Sequence, residues 1–297
     1  MSRMLPSESE LHEVKRRNLH SWLLTTPGLL WLLFFFFVPF LIVFFYSFLT
    51  PTIYDIKFLF SLDAYRNVFR FIYLRPFLLA FRLAFITTVF CLLLGYPTAY
   101  YIARSNEKLK NFFLMLIIIP FWTNFIIRIF AWRIFLSNEG VLNEMLIGLG
   151  ILHQPLIMLR TDFAVVLVMV YVYLPFMILP LYSTIEKIDF VLLQAAMDLG
   201  ANEVQAFRKV TLPLTKEGIF AGSILVFIPA LGAYIVPQLV GHQNSLYIGQ
   251  VITYKIKNIP RDWPLASALS LVLLAIVSVM LIAAYAWQHQ SRRRAMR

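Results

Sequence analysis

Apolar residues in this chain gather into six long runs, and most of the charge falls between them. The runs extend from Trp22 to Leu49, Leu78 to Ala103, Asn111 to Phe135, Phe163 to Ser183, Gly218 to Val240 and Leu265 to Trp287. A helix needs about 20 apolar residues to cross the hydrocarbon core of a bilayer, so each run predicts one transmembrane helix and the chain an all-α membrane protein of six spans. The runs lack the two-residue alternation of a barrel strand, which excludes a transmembrane barrel. Pro120, Pro175 and Pro229 fall inside runs, where neighbouring helices can satisfy the carbonyls that a proline frees. The first run is too long for the apolar core of a signal peptide and no small-residue cleavage pattern follows it, so it is expected to be retained. The expected division is an arm over 1–21, a transmembrane domain over 22–288 and a basic tail over 289–297.

The connection over 184–217 is patterned more finely than the others. Asp189 can cap a short helix in which Leu192, Ala195, Ala196 and Leu199 share one face. Gly200 stands where a left-handed C-terminal residue is wanted. Asn202, with Gln205 three residues later, has the form of a capping box opening a second helix with Val204, Phe207 and Val210 as its apolar strip, and Pro213 is expected to end it. Two short amphipathic helices at the membrane face either rest among headgroups or form a knob for a soluble partner, with small Ala residues allowing close approach and Phe207 entering the partner's pocket.

Composition supports the lipid reading: 60% of the 297 residues are hydrophobic and only 14% charged, against about a quarter charged in a soluble domain. The single Cys, Cys91, excludes a disulfide framework. The net charge of +11 is spread between the runs, which reads as a topology signal and not as a nucleic-acid face. Fifteen Lys and Arg fall on the side of both termini and of the 184–217 connection, and eight on the other, so both termini are expected in the cytoplasm. All 15 acids fall outside the six runs. A proton- or sodium-coupled carrier keeps an ionisable group near the midplane, and here only Arg128 lies deep in a run. No Gly is followed by Lys, so the phosphate-cradling loop of an ATPase is absent from the sequence and the chain is not expected to be an enzyme.

The run Gln194-Ala195-Ala196-Met197-Asp198-Leu199-Gly200, followed after nine intervening residues by Val210-Thr211-Leu212-Pro213, resembles the EAA loop of binding-protein-dependent ABC importer permeases, with Gln194 in place of the usual Glu and Val210 in place of Ile. Gly95-Tyr96-Pro97-Thr98-Ala99-Tyr100, Pro120-Phe121-Trp122-Thr123-Asn124 with Ile127-Arg128-Ile129, Leu174-Pro175-Phe176-Met177 and Arg261-Asp262-Trp263-Pro264 are similar to segments of spermidine/putrescine permeases of the PotB type. The resemblance implies the MetI-like type I permease fold in a bacterial-type inner membrane. It implies three partners: a second six-span permease (PotC type), a cytoplasmic ATPase dimer (PotA type) that carries the ATP and Mg, and an extracytoplasmic substrate-binding protein (PotD type). No cofactor is expected on this chain and no nucleic-acid partner. Gln194, Ala195, Ala196, Asp198, Gly200, Phe207 and Pro213 are the expected ATPase-coupling residues.

For the translocation path the candidates are Phe121, Trp122, Asn124, Arg128, Tyr171, Tyr173 and Tyr234. Aromatic faces can guide an ammonium by about 0.5 to 2 kcal/mol each. Arg128 either faces the path, where it repels cations, or packs between helices. Positions where relatives carry acids hold Ala233 and Gln238 here. Gly218 and Gly222 are expected to bring the fifth span close to a neighbour, with Pro229 and Gly232 as hinges. The solute is expected to be a polyamine or another small cationic or nitrogenous compound; the rival is a membrane scaffold that moves no solute.

Overall fold

The computed structural model describes residues 8–51, 56–189, 191–242 and 246–295. The side chains of 1–24 and 287–297, on whose Lys and Arg the expected orientation largely rests, lie outside the described residues. In chain order the elements are α1 (Glu8–Tyr46), β1 (Leu49–Pro51), β2 (Ile56–Phe60), α2 (Asp63–Val68), α3 (Phe71–Arg104), α4 (Glu107–Ile118), α5 (Phe125–Phe135), α6 (Val141–Gly148), α7 (Asp162–Ile185), α8 (Val191–Asp198), α9 (Glu203–Ala206), α10 (Leu212–Leu214), α11 (Lys216–Leu231), α12 (Ile235–Val240), α13 (Ile248–Lys257) and α14 (Trp263–Ala295). Among the described residues four helices are long and apolar enough to cross a membrane, and two bent pairs raise the number to 6 when each pair is one span.

One compact unit holds residues 1–68 and 259–297. Within it α14 packs on α1 and α2, and the Tyr46 and Trp263 rings meet at 5.8 Å. A short antiparallel hairpin, β1 with β2, stands where the sequence suggested only a polar connection. It is backed by Phe48, whose ring stacks on Phe60 at 5.0 Å, and Ser47 reaches the Tyr65 hydroxyl at 2.9 Å.

The second unit, 69–258, is built on α3, α7 and α11, which pack on one another. Glycine makes the close approach possible. A Cβ at Gly95 would stand 3.0 Å from the Met177 side chain, and one at Gly222 would stand 2.7 Å from the Met177 sulfur, so Met177, fully buried, is the piece on which the three helices close. Gly218 lies against Thr184 and Pro180 of α7. The neighbour that Gly218 and Gly222 were expected to admit is thus a helix of the same chain. α7 starts where Thr161 caps it, its Oγ1 accepting from the Ala164 N–H at 3.1 Å.

Two expected spans are not continuous. The third bends by 96° between Trp122 and Phe125. A 3-10 turn over Ile119–Trp122 with Pro120 in its first turn leads to Thr123 in an extended conformation, and Asn124 then caps a new helix. The fifth ends at Leu231, and Gly232 to Tyr234 separate it from α12. Averaged hydropathy does not divide either run, because the few residues at each break, Thr123 and Asn124 in the third and Gly232 to Tyr234 in the fifth, lie among long apolar stretches.

Candidate functional site

The 184–217 connection forms as its caps dictate. Asp189 Oδ1 accepts from the Val191 N–H at 2.9 Å, opening α8. Gly200, at φ +88, closes it with paired bonds, its own N–H to the Met197 carbonyl at 2.9 Å and the Ala201 N–H to that of Ala196 at 3.1 Å, a Schellman ending that only a left-handed residue allows. The capping box is present in both directions, Gln205 N–H to Asn202 Oδ1 at 2.8 Å and Asn202 N–H to Gln205 Oε1 at 3.2 Å.

Leu193 and Ala206 are buried, while Val191, Leu192, Met197, Val204 and above all Leu199, 90% exposed, form an apolar surface. Gln194, Ala195 and Asp198 lie exposed beside them, and Ala196 is half-buried. The Phe207 ring meets Tyr96 at 5.7 Å and Tyr100 at 5.8 Å, edge-on to both, so within the chain it holds the loop to α3. Pro213 does not end the second helix: a widened π turn over Phe207–Thr211, in which the Leu212 N–H reaches the Phe207 carbonyl, carries the chain into α10 with Pro213 inside it. The bend, 62°, comes at Thr215. There the Tyr96 hydroxyl pairs with Thr215 Oγ1 at 3.0 Å. Tyr96, Tyr100 and Thr215, which hold the loop to α3, were not among the residues singled out for this loop, although the Gly95 to Tyr100 motif held two of them. On the same face Lys110 donates to Glu186 at 2.7 Å, tying α4 to the end of α7. That bond, and one from Tyr182, hold the Glu186 carboxyl below its usual range.

The path candidates separate into a cluster and outliers. Phe121 meets Phe176 at 5.2 Å, Phe176 meets buried Tyr173 at 6.3 Å, and the Arg128 guanidinium lies 5.9 Å from the rings of both Phe121 and Phe125. The Nε of Arg128 is buried without a hydrogen-bond partner among the described residues. Phe125 and Phe176 belong to this cluster and were missed, Phe176 despite standing in a quoted motif. Tyr171 lies elsewhere, against Trp132 at 5.2 Å. Trp122, 83% exposed, lines an open groove with Asn111, Met115 and Ile118. Asn124 does backbone work, its Oδ1 accepting from the Ile126 N–H at 2.8 Å. Tyr234 sits at the break before α12.

Residues 91–296 match the family described as binding-protein-dependent transport system inner membrane component. The chain is 44% identical to the spermidine/putrescine transport system permease protein PotB of Salmonella typhimurium (strain SL1344) over 253 residues, 85% of this chain and 88% of that protein. It is equally identical to the PotB of Escherichia coli (strain K12), over 85% of this chain and 92% of that one. Among solved structures, a chain of a bacterial alginate ABC transporter in complex with alginate pentasaccharide-bound periplasmic protein superposes with a TM-score of 0.75 at 18% identity, over 95% of this chain and 96% of that one. That likeness carries the fold, and with the coupling loop and the sequence relatives it leads to one conclusion: the chain belongs to the binding-protein-dependent transport system inner membrane components, as an ABC importer permease of the PotB type.

Proposed function

We propose that this permease moves polyamines, spermidine or putrescine, inward through a path shared with a second six-span permease, driven by a cytoplasmic ATPase dimer and supplied by an extracytoplasmic binding protein. The observation that carries the reading is the 44% identity to PotB over 85% of the chain. ATP and Mg belong to the ATPase. The exposed apolar surface of α8, with Gln194, Ala195, Ala196, Asp198 and Gly200, is its docking knob, and both chain ends lie on that cytoplasmic side. A motion received there passes through Phe207, Tyr96 and Thr215 into α11.

Glu107, Asp162 and Glu217 stand in the first turns of helices, and the Phe121, Tyr173 and Arg128 cluster offers no carboxylate among the described residues. A desolvated ammonium without a counter-charge is costly, so the path is wet and weakly selective, and recognition resides mainly in the binding protein. The test is ATP hydrolysis by the reconstituted complex. Binding protein loaded with spermidine or putrescine should stimulate it, and Phe121→Ala should slow uptake without reordering the amines. Stimulation by a non-amine solute and by neither polyamine would overturn the substrate class.

A further inference from the structure

The corner between α5 and α6, and the connection over 149–161 that follows, hold more bonds than a surface loop needs. Asn143 on α6 is 1% exposed. Its Nδ2 donates to the Ser137 carbonyl at 3.1 Å and to the Leu156 carbonyl at 3.0 Å, and its Oδ1 accepts from the Leu156 N–H at 2.9 Å. One amide thus pairs with Leu156 as a neighbouring strand would, and also holds Ser137, two residues past the end of α5. At the same corner a Cβ on Gly140 would stand 2.4 Å from the Ile134 carbonyl oxygen and 2.7 Å from that of Phe135, so only glycine lets the chain turn back against the end of α5.

The far end of the connection is tied as well. Arg160 adopts φ +64, a conformation that a residue with a side chain keeps only where its surroundings over-determine it. Its N–H donates to the carbonyl of Val240, the last residue of α12, at 2.9 Å. Beside that bond Gly241 lies so near the start of α7 that a Cβ would meet Val165 at 2.8 Å.

α5 and α12 are the second halves of the two interrupted spans, and they pack on each other. Each is separated from its first half by a break, so the helical hydrogen bonds that would steer it from behind are missing. We propose that the 149–161 connection is a strap that makes α5 and α12 move as one body when the path opens on the face away from the coupling loop, with Asn143 the positioning residue at its clasp. A gate built from two detached half-helices needs such a link, because switching between packed states proceeds by rigid pieces. Asn143 acts through Ser137 and Leu156 and touches no solute.

This inference rests on the reading of the chain as an ATP-driven permease, and its test separates the two. Single cysteines replace exposed Ile134 on α5 or Gln238 on α12 in the reconstituted complex, and thiol-labelling rates are measured without nucleotide and after trapping with ATP and vanadate. In the otherwise unaltered protein both rates should change between the states by factors agreeing within about two-fold. With Asn143→Ala added, the factors should diverge by about five-fold or more, while a cysteine at Leu199 labels as before, which reports an intact coupling loop. Arg160→Gly keeps the N–H bond to Val240 and relieves the backbone, so the concerted response should survive it. Rates that stay matched in Asn143→Ala would overturn the strap, and so would independent or absent responses in the unaltered protein, a result available even where Asn143→Ala fails to assemble. A failure of polyamine-loaded binding protein to stimulate ATP hydrolysis would count against the proposed function alone.

Discussion

The joint at Thr215 and the break at Gly232 bound the same helix, α11, yet they are held by different means. At Thr215 the hold is made by side chains: the Tyr96 hydroxyl on Thr215 Oγ1 at 3.0 Å, with the Phe207 ring beside it between Tyr96 and Tyr100. At Gly232 it is made by backbone. A Cβ on Gly249, next to the start of α13, would stand 2.6 Å from the Gly232 carbonyl oxygen and 3.0 Å from that of Ala233, whereas a Cβ on Gly232 itself would meet nothing within 4 Å. A side-chain joint can shed or shift one bond and keep its course, so it suits an element that receives motion. A backbone contact accepts no added atom, so it fixes where the helix must stop.

The comparison breaks most sharply at Gly249. Gly249→Val puts a branched side chain against two carbonyls that cannot yield and should cost about 3 kcal/mol, the upper end of overpacking, seen as a lowered melting temperature of the purified complex. Gly232→Ala should be neutral or stabilising by about 0.5 kcal/mol, because φ is −88 and the space is open. Equal losses for the two would show that the break is held from the Gly232 side after all.

Gly200 is next in size. A side chain there has room, with nothing within 4 Å, and only the φ of +88 opposes it, so Gly200→Ala should cost about 1 kcal/mol and β-branched Gly200→Val more. Gly200→Val should insert at normal levels yet separate ATP hydrolysis from uptake; unaltered uptake would remove this loop from the coupling route. The smallest effect is expected for Tyr96→Phe, which keeps the ring on Phe207 and deletes the bond to Thr215. About 0.5 kcal/mol is at stake, the low end for a partly exposed hydrogen bond, and the amount of solute moved per ATP should fall modestly while the melting temperature shifts by no more than about 2 °C. A large loss of stability would make Thr215 a structural anchor like Gly249 and erase the distinction.

What the sequence disclosed follows the same division. Asp189, Gly200 and the Asn202–Gln205 pair act on backbone within a few residues of themselves, so their bonds could be written down from spacing alone. The destination of Phe207 was hidden because Tyr96 and Tyr100 lie on a distant helix, and apolar periodicity says that a ring is to be covered without saying by what. The six apolar runs located the crossings, but two polar residues, Thr123 and Asn124, were too few to divide the third run at its turn. Asn124, noted for its place in a motif, also caps the helix it begins, a role that its spacing to Ile126 did not announce. Of the path residues, Phe121, Arg128 and Tyr173 share a cluster, and Tyr171, two residues from Tyr173, turns to the other side of α7 toward Trp132.

The 96° turn also bears on how the protein is made. α5 has 11 residues, a length of about 17 Å at 1.5 Å per residue, little more than half of a hydrocarbon core of about 30 Å. Insertion machinery that sorts nascent segments by length and apolarity would leave such a piece in water if it arrived alone. It arrives instead at the end of the continuous apolar run from Asn111 to Phe135, which qualifies as one straight crossing. In the folded chain α12 packs on it and its Trp132 meets Tyr171 of α7, so the place of this short helix depends on elements synthesised after it.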